Sequence, residues 1–321
     1  MQSFSHIDAT NIDDVIPLLD ETSRPLAGGT DLLPLMKEQL SAPQRLINLK
    51  TARELRYIRT QEAELHIGAL TTLDDLDRHA DIRRDYTALA QAAAQSASPQ
   101  LRNMATLGGN LLQQVRCWYY RGDFHCWLKG GPICHARDGR NEYHAIVDQS
   151  PCVAVYPSDP PTALIALDAT LRIVGPQGQR EVLVADFLQP PTDGRRLMHT
   201  LATDELIVEV RVPKPTGKSV YLKAMDRAVW AYALVSVAVV ADVDNNVARN
   251  VRIVLGGVAN TPVRATAAEE LVEGQPLTDD LLRRAGAVAV EQAAALEHNR
   301  YKLPLARNLV TQALRDVQRT G

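Results

Sequence analysis

All four cysteines of the chain, Cys117, Cys126, Cys134 and Cys152, fall within one 36-residue window of a 321-residue sequence. Their intervals, C-x8-C-x7-C-x17-C, run through loop-forming and polar stretches (RGDFH, KGGP, ARDGRNE), so the thiols can converge without one helix fixing them. Four convergent thiolates suit an iron–sulfur cluster or a zinc ion. Zinc sites commonly use a short C-x2-4-C knuckle, because a tight turn supplies two adjacent tetrahedral ligands, and none is present. A cubane cluster takes widely spaced thiolates from a loop. Spacing therefore ranks iron–sulfur first, zinc second and disulfides third. The last place reflects MQSFSHIDATNIDD, which has neither the basic segment nor the apolar core of an export signal. His125, His135 and His144 share the window and could each replace a thiolate, although solvated loop histidines are the commoner case.

Two glycine pairs stand at strand-to-helix junctions. LAGGTDLL (26–33) sets Gly28 and Gly29 beside Thr30, and TLGGNLLQ (106–113) sets Gly108 and Gly109 between Thr106 and Asn110. Glycine lets main-chain N–H groups approach an anion, so such loops can cradle a diphosphate. Neither is G-x-G-x-x-G or G-x-x-x-x-G-K-[ST], and an isolated pair is more often a tight turn. Two in one domain favour an extended ligand. Gly256 and Gly257, with apolar flanks, read as a structural turn.

The elements that must position these residues alternate. Helices are expected over 12–20, 31–40 and 72–95, and strands over 24–29, 45–49 and 64–70. TALIALDATLRIVG, REVLVADFL and ELIVEVRVP read as strands. Pro213 and Pro215 then interrupt pairing and mark a boundary, beyond which come two apolar strands and three helical stretches. The pattern is α+β or α/β. An apolar share of 45% and a net charge of −3 are those of a globular protein without the basic face that nucleic acid demands. No apolar run approaches the eighteen or so residues of a membrane span, so no membrane insertion is expected.

LAGGTDLL, LRNMATLGGNLLQ, SDPPTALIALDA, YLKAMDRAVWAYALVSVAV, LGGVANTPVRATAAE and YKLPLARNLV, in that order, resemble the flavin-binding medium subunit of the molybdenum hydroxylases, relatives of xanthine dehydrogenase, carbon monoxide dehydrogenase and aldehyde oxidoreductase. The resemblance implies an α+β chain of the vanillyl-alcohol-oxidase (PCMH) type. Its parts would be FAD subdomains at 1–55 and 56–215 and a C-terminal domain at 216–321 with a three-stranded antiparallel sheet and helices. It implies FAD held by Leu26, Ala27, Gly28, Gly29, Thr30, Asp31 and Leu32, and by Thr106, Gly108, Gly109 and Asn110. Asp159 would meet the ribityl region and Lys223 would lie near the isoalloxazine ring.

About forty residues, near 114–155, are additional to most medium subunits. They are similar to the insertion that carries a [4Fe–4S] cluster in 4-hydroxybenzoyl-CoA reductase and in periplasmic aldehyde oxidoreductase, with RCWYYRGDFHC and Cys152 before YPSD nearer the latter. Cys117, Cys126, Cys134 and Cys152 would be its ligands. The implied partners are a molybdopterin-containing large subunit, a small subunit with two [2Fe–2S] clusters and an external electron acceptor. Aldehyde oxidation is the expected activity of the complex, with xanthine or N-heterocycle dehydrogenation and CoA-ester reduction as alternatives. The chain has no G-x-S-x-G, H-E-x-x-H or paired-acid constellation of its own, so no catalytic residue is expected in it. A rival from another class is a zinc-stabilised nucleotide-binding assembly protein. The cytoplasm is the expected compartment, or the periplasm by co-export with a partner that bears a twin-arginine signal.

Overall fold

The computed structural model describes residues 1–320. Three sheets position everything else. Parallel strands β1 (Ser5–Asp8), β2 (Ser23–Leu26) and β3 (Arg45–Asn48) form the first, in the order β1-β3-β2. β4 (Ile58–Gln61), β5 (Glu64–Gly68), β6 (Thr170–Gly175), β7 (Gly178–Leu183) and β8 (Leu206–Pro213) form an antiparallel sheet ordered β4-β5-β8-β6-β7. β9 (Lys218–Ala224), β10 (Val235–Asp244), β11 (Val247–Gly256) and the two-residue β12 (Val263–Arg264) form the third, also antiparallel. The three expected C-terminal strands are thus present, with β12 added at the edge. No helix is long and apolar enough to cross a membrane among the described residues.

The helices over 72–95 form as three short pieces, Leu73–Arg78, Ala80–Asp85 and Thr87–Ala94, the first opened by a capping box between Thr72 and Asp75. The expected helix 12–20 is shorter, Ile12–Val15 running into a 3-10 turn at Ile16–Leu18 that accommodates Pro17. TALIALDATLRIVG is not one strand. Its first half is the helix Pro160–Ala166, every residue of which is buried, and only Thr170–Gly175 is extended. A helix buried all round shows no amphipathic period, so its apolar run imitates a buried strand. REVLVADFL likewise ends as a strand at Leu183 and turns into the short helix Val184–Phe187.

The fully buried helix Pro160–Ala166 packs on both β10 and β11, and one apolar core runs from Leu65 and Ile67 through Leu164 to Tyr221 and Val254. Chain before and after the proline boundary therefore shares a core. A second core lies between the third sheet and the helices Thr266–Val272, Asp279–Val288 and Lys302–Thr320, and includes Ile146 of the cysteine region. That region is pinned from the C-terminal side. Asn260 Nδ2 donates to the carbonyls of Cys152 and Ala154 at 2.9 and 2.8 Å, and Ile146 and Val147 both donate to Val258 O.

Candidate functional site

The first glycine loop leaves β2 at Leu26 and Ala27 and enters the helix Leu32–Lys37, with Asp31 at the N-cap. Gly29 has φ +71°, which a side chain would strain. A Cβ on Gly28 would overlap the carbonyl of Met104, so the first loop packs on the chain just ahead of the second. The second loop is the first turn of the short helix Leu107–Leu111. Thr106 caps it, accepting from Gly109 N at 3.3 Å, while Gly108 is packed against Ala69 and Gly109 is exposed. The Ser158 hydroxyl donates to Asn110 Oδ1, and Tyr156 OH donates to Leu111 O at 2.6 Å. These bonds tie the second loop to the SDPP turn.

Asp31 faces away from simple solvent capping. Its carboxylate accepts from Gln114 N at 2.7 Å and pairs with Arg116 at 2.7 Å and Arg121 at 3.1 Å, joining the first loop to the start of the cysteine region. Asp159 is buried. It accepts from Tyr221 OH at 2.6 Å, Lys223 Nζ at 2.8 Å and Ser96 Oγ at 3.2 Å. Lys223 also donates to the carbonyls of Gln95 and Ala231, both at 2.9 Å. Its three N–H bonds are all taken, so it braces Asp159.

A cavity of about 240 Å³ opens where the SDPP turn, the cysteine region and the segment before β10 meet. Ser158 and Asp159 line it from one side, Cys117 and His144 from a second, and Tyr232 from a third, with the Arg116 guanidinium 5.3 Å over the Tyr232 ring. Gly257, read from sequence as purely structural, has φ +71° as a turn requires and also borders the cavity.

Cys117 is the one thiol that lines it, and the four free thiols are near enough to act on one another. Cys126 and Cys152 are buried and Cys117 and Cys134 partly so. All four are free thiols in the structure. Burial pushes the Cys117 thiol up to about 11, against the main-chain N–H groups of Tyr120 and Tyr119 that favour its thiolate, and the charges of Cys134 and Cys126 add to the rise. The Cys152 thiol donates to Cys134, which lowers Cys134 and raises Cys152; the N–H groups of Val153 and Ala136 also favour the Cys134 thiolate. Ala154 N donates to Cys152 Sγ at 3.4 Å. Among the described residues no group of three or more His, Cys, Asp or Glu side chains is arranged to hold a metal ion.

Of the three histidines, His125 is exposed and His135 stacks on Tyr119. His144 is the one drawn in: it is buried, with Nε2 3.1 Å from Cys117 Sγ. The sequence reading missed Arg116, Arg121, Tyr221 and Lys302, whose roles depend on contacts between distant segments and leave no local pattern.

Residues 2–215 match the FAD-binding domain of the molybdopterin dehydrogenases, and residues 220–317 match the C-terminal domain of the CO dehydrogenase flavoprotein. The chain belongs to the FAD-binding medium subunits of the molybdenum hydroxylases. This medium subunit is 38% identical over 300 residues to the aldehyde oxidoreductase FAD-binding subunit PaoB of Escherichia coli K12, covering 91% of each chain. It is 28% identical to the carbon monoxide dehydrogenase medium chain of Afipia carboxidovorans, over 89% of this chain and 85% of that one. In three dimensions it matches reconstituted CO dehydrogenase from Oligotropha carboxidovorans with a TM-score of 0.80 at 25% identity, over 100% of this chain and 99% of the other. The mixed α/β FAD-binding domain and the antiparallel C-terminal sheet are those of this medium-subunit family.

Proposed function

We propose that this medium subunit carries FAD and one [4Fe–4S] cluster. It would pass electrons from a molybdopterin large subunit, through a small subunit with two [2Fe–2S] clusters, to an external acceptor, in a complex that oxidises aldehydes. The observation that carries the reading is that four free cysteines lie near enough to act on one another, with Cys117 on the cavity that Ser158 and Asp159 also line. The relative named as an aldehyde oxidoreductase subunit supports the substrate class.

The glycine loops offer what a diphosphate needs, and the four cysteines are the donor type that an iron–sulfur cluster takes. At the first loop Gly28 and Gly29 carry no side chain to stand between their main-chain N–H groups and a diphosphate, and Thr30 lies beside them. Bound FAD exchanges single electrons with clusters and electron pairs with an acceptor. The chain's own task is to position and enclose: Asp31 braces the first loop on Arg116 and Arg121, Ser158 holds Asn110, and Lys223 fixes Asp159 at the cavity wall.

Cys117, Cys126, Cys134 and Cys152 would hold the cluster. Each thiolate would bind a separate iron of the cluster, whereas a single zinc ion would take all its sulfurs about 2.3 Å from one point. The N–H groups of Tyr119, Tyr120, Ala136, Val153 and Ala154 are aimed at three of the four sulfurs, which favours thiolate. The cytoplasm is the compartment proposed, or the periplasm by co-export with a partner bearing a twin-arginine signal.

Anaerobic iron and sulfide analysis of the purified complex should give about four of each per chain beyond the partners' clusters. Stoichiometric zinc without that iron overturns the cluster. Dye reduction with aldehydes should require all the subunits, and turnover by the isolated chain overturns the electron-transfer role.

A further inference from the structure

Two guanidinium groups stand on the wall of the cavity, those of Arg116 and Arg227. They are held differently. Arg227 turns both Nε and Nη2 to the carbonyl of Trp230, three residues along its own exposed segment. Arg116 is fixed from two sides: its Nη2 is 2.7 Å from Asp31 Oδ1 and 3.4 Å from Gln113 Oε1, and its guanidinium lies over the Tyr232 ring, 5.3 Å from the ring centre. Its Nε is buried without a partner, and Nη1 bonds nothing among the described residues. A guanidinium carries five N–H donors in a planar fork. One ion pair and one stacked ring therefore fix where Arg116 stands and leave most of its donors unused.

The surroundings say what would use them. Trp118, Tyr143 and Tyr232 give the cavity aromatic faces, while Ser158 and Asp159 give it a polar side. A pocket with aromatic walls and a few placed polar groups suits a flat ring, which those groups orient. Neither glycine loop lines the cavity, so a diphosphate on the loops and a ring in the cavity would be met by different parts of the chain. Asp31 already answers the charge of Arg116. The remaining N–H groups thus suit an uncharged acceptor, such as a ring carbonyl, and do not need a phosphate.

We propose that Arg116 is an FAD-binding residue: from the cavity wall it donates to an acceptor atom of the flavin ring, while Asp31 and Tyr232 hold it in place. This rests on the reading that the chain carries FAD. Arg116 precedes Cys117 directly and lies outside both glycine loops and the Asp159–Lys223 pair. The stretch that bears the cysteines would therefore enter the flavin site itself and not only brace the first loop.

The test is FAD re-binding by the purified complex after its flavin has been removed, followed by quenching of FAD fluorescence, with the absorption spectrum of the re-bound flavin recorded alongside. Arg116→Met should weaken FAD binding about tenfold, the equivalent of about 1.4 kcal/mol, and shift the flavin bands. It does not strand Asp31, because Gln114 N and Arg121 still hold that carboxylate. Arg116→Lys restores a cation beside Asp31 but not the planar fork, so it should keep both the weakened binding and the shifted bands. Wild-type affinity and bands in Arg116→Met overturn the inference. Recovery of both by Arg116→Lys overturns it too, since Arg116 would then act only through Asp31. If Arg116→Met does not fold, Arg116→Lys decides alone: weakened binding with shifted bands supports the contact, and wild-type values overturn it. A wild-type complex isolated without flavin sinks the FAD reading itself, and is recognised before any variant is made.

Discussion

Replacing Lys223 by methionine should destabilise the protein by about 3–5 kcal/mol and loosen FAD. The Lys223 side chain is fully buried and the Asp159 side chain is only 6% exposed, so water does not screen their 2.8 Å ion pair. The value of roughly 0–1 kcal/mol for surface pairs therefore does not apply. Methionine fills most of the lysine's volume but leaves the carboxylate of Asp159 with the hydroxyls of Tyr221 and Ser96 alone, and strips a donor from the carbonyls of Gln95 and Ala231. The cost comes from the stranded charge more than from lost attraction. Asp159→Asn in the same background removes that charge, so the double variant should be about 1–2 kcal/mol more stable than Lys223→Met alone, a coupling expected of directly bonded groups. Urea unfolding followed by far-ultraviolet circular dichroism gives the stabilities, and flavin fluorescence in parallel reports release. A Lys223→Met protein within about 1 kcal/mol of wild type, or a double variant whose loss equals the sum of the singles, refutes the reasoning.

Gly29→Val should abolish FAD retention, because residue 29 holds a positive φ beside the ligand face; an unchanged flavin-to-protein ratio would contradict it. Cys126→Ser should lose or damage the cluster while FAD stays largely bound, read from iron content and the flavin spectrum of the same sample. Neither glycine loop contains a histidine or cysteine for a covalent flavin link, so acid precipitation should leave all the flavin in the supernatant and a colourless pellet. Burial alone would raise Glu209, but hydrogen bonds from Tyr57 and Arg211 and the Arg172 charge outweigh it and hold the carboxyl below its ordinary 4.5. Its contribution is thus complete above that value and lost as pH falls through the lowered one. Glu209→Gln should remove about 1–3 kcal/mol near pH 7 and flatten the loss of stability below pH 5, and an unchanged acid limb in urea titrations would count against it.

What the sequence made legible was what local chemistry determines. Gly28 and Gly29 announce themselves because the backbone there needs a residue without a side chain, and the four thiols because cysteine is scarce elsewhere. The helix Pro160–Ala166 was misread for the opposite reason. It is buried on every side, and burial on every side erases the period that distinguishes helix from strand.

The partners of the site residues were illegible because they come from far along the chain. Asp31 lies 85 residues from Arg116 and 90 from Arg121, yet all three meet, and the lysine gripping His144 is 158 residues away. Lys302 in YKLPLARNLV looks like an ordinary first-turn lysine on an amphipathic helix. Only the fold shows that it faces inward. The same separation explains how the molecule is built: Asn260, Asn299 and Lys302, all from the C-terminal domain, hold the backbone of the cysteine region by its carbonyls. Main-chain carbonyls are present whatever the side chain, so these clamps constrain the path of the region without constraining most of its sequence. The loop that carries the thiols is thus fixed by a neighbour's side chains, which is how a stretch with little regular secondary structure can keep a defined path.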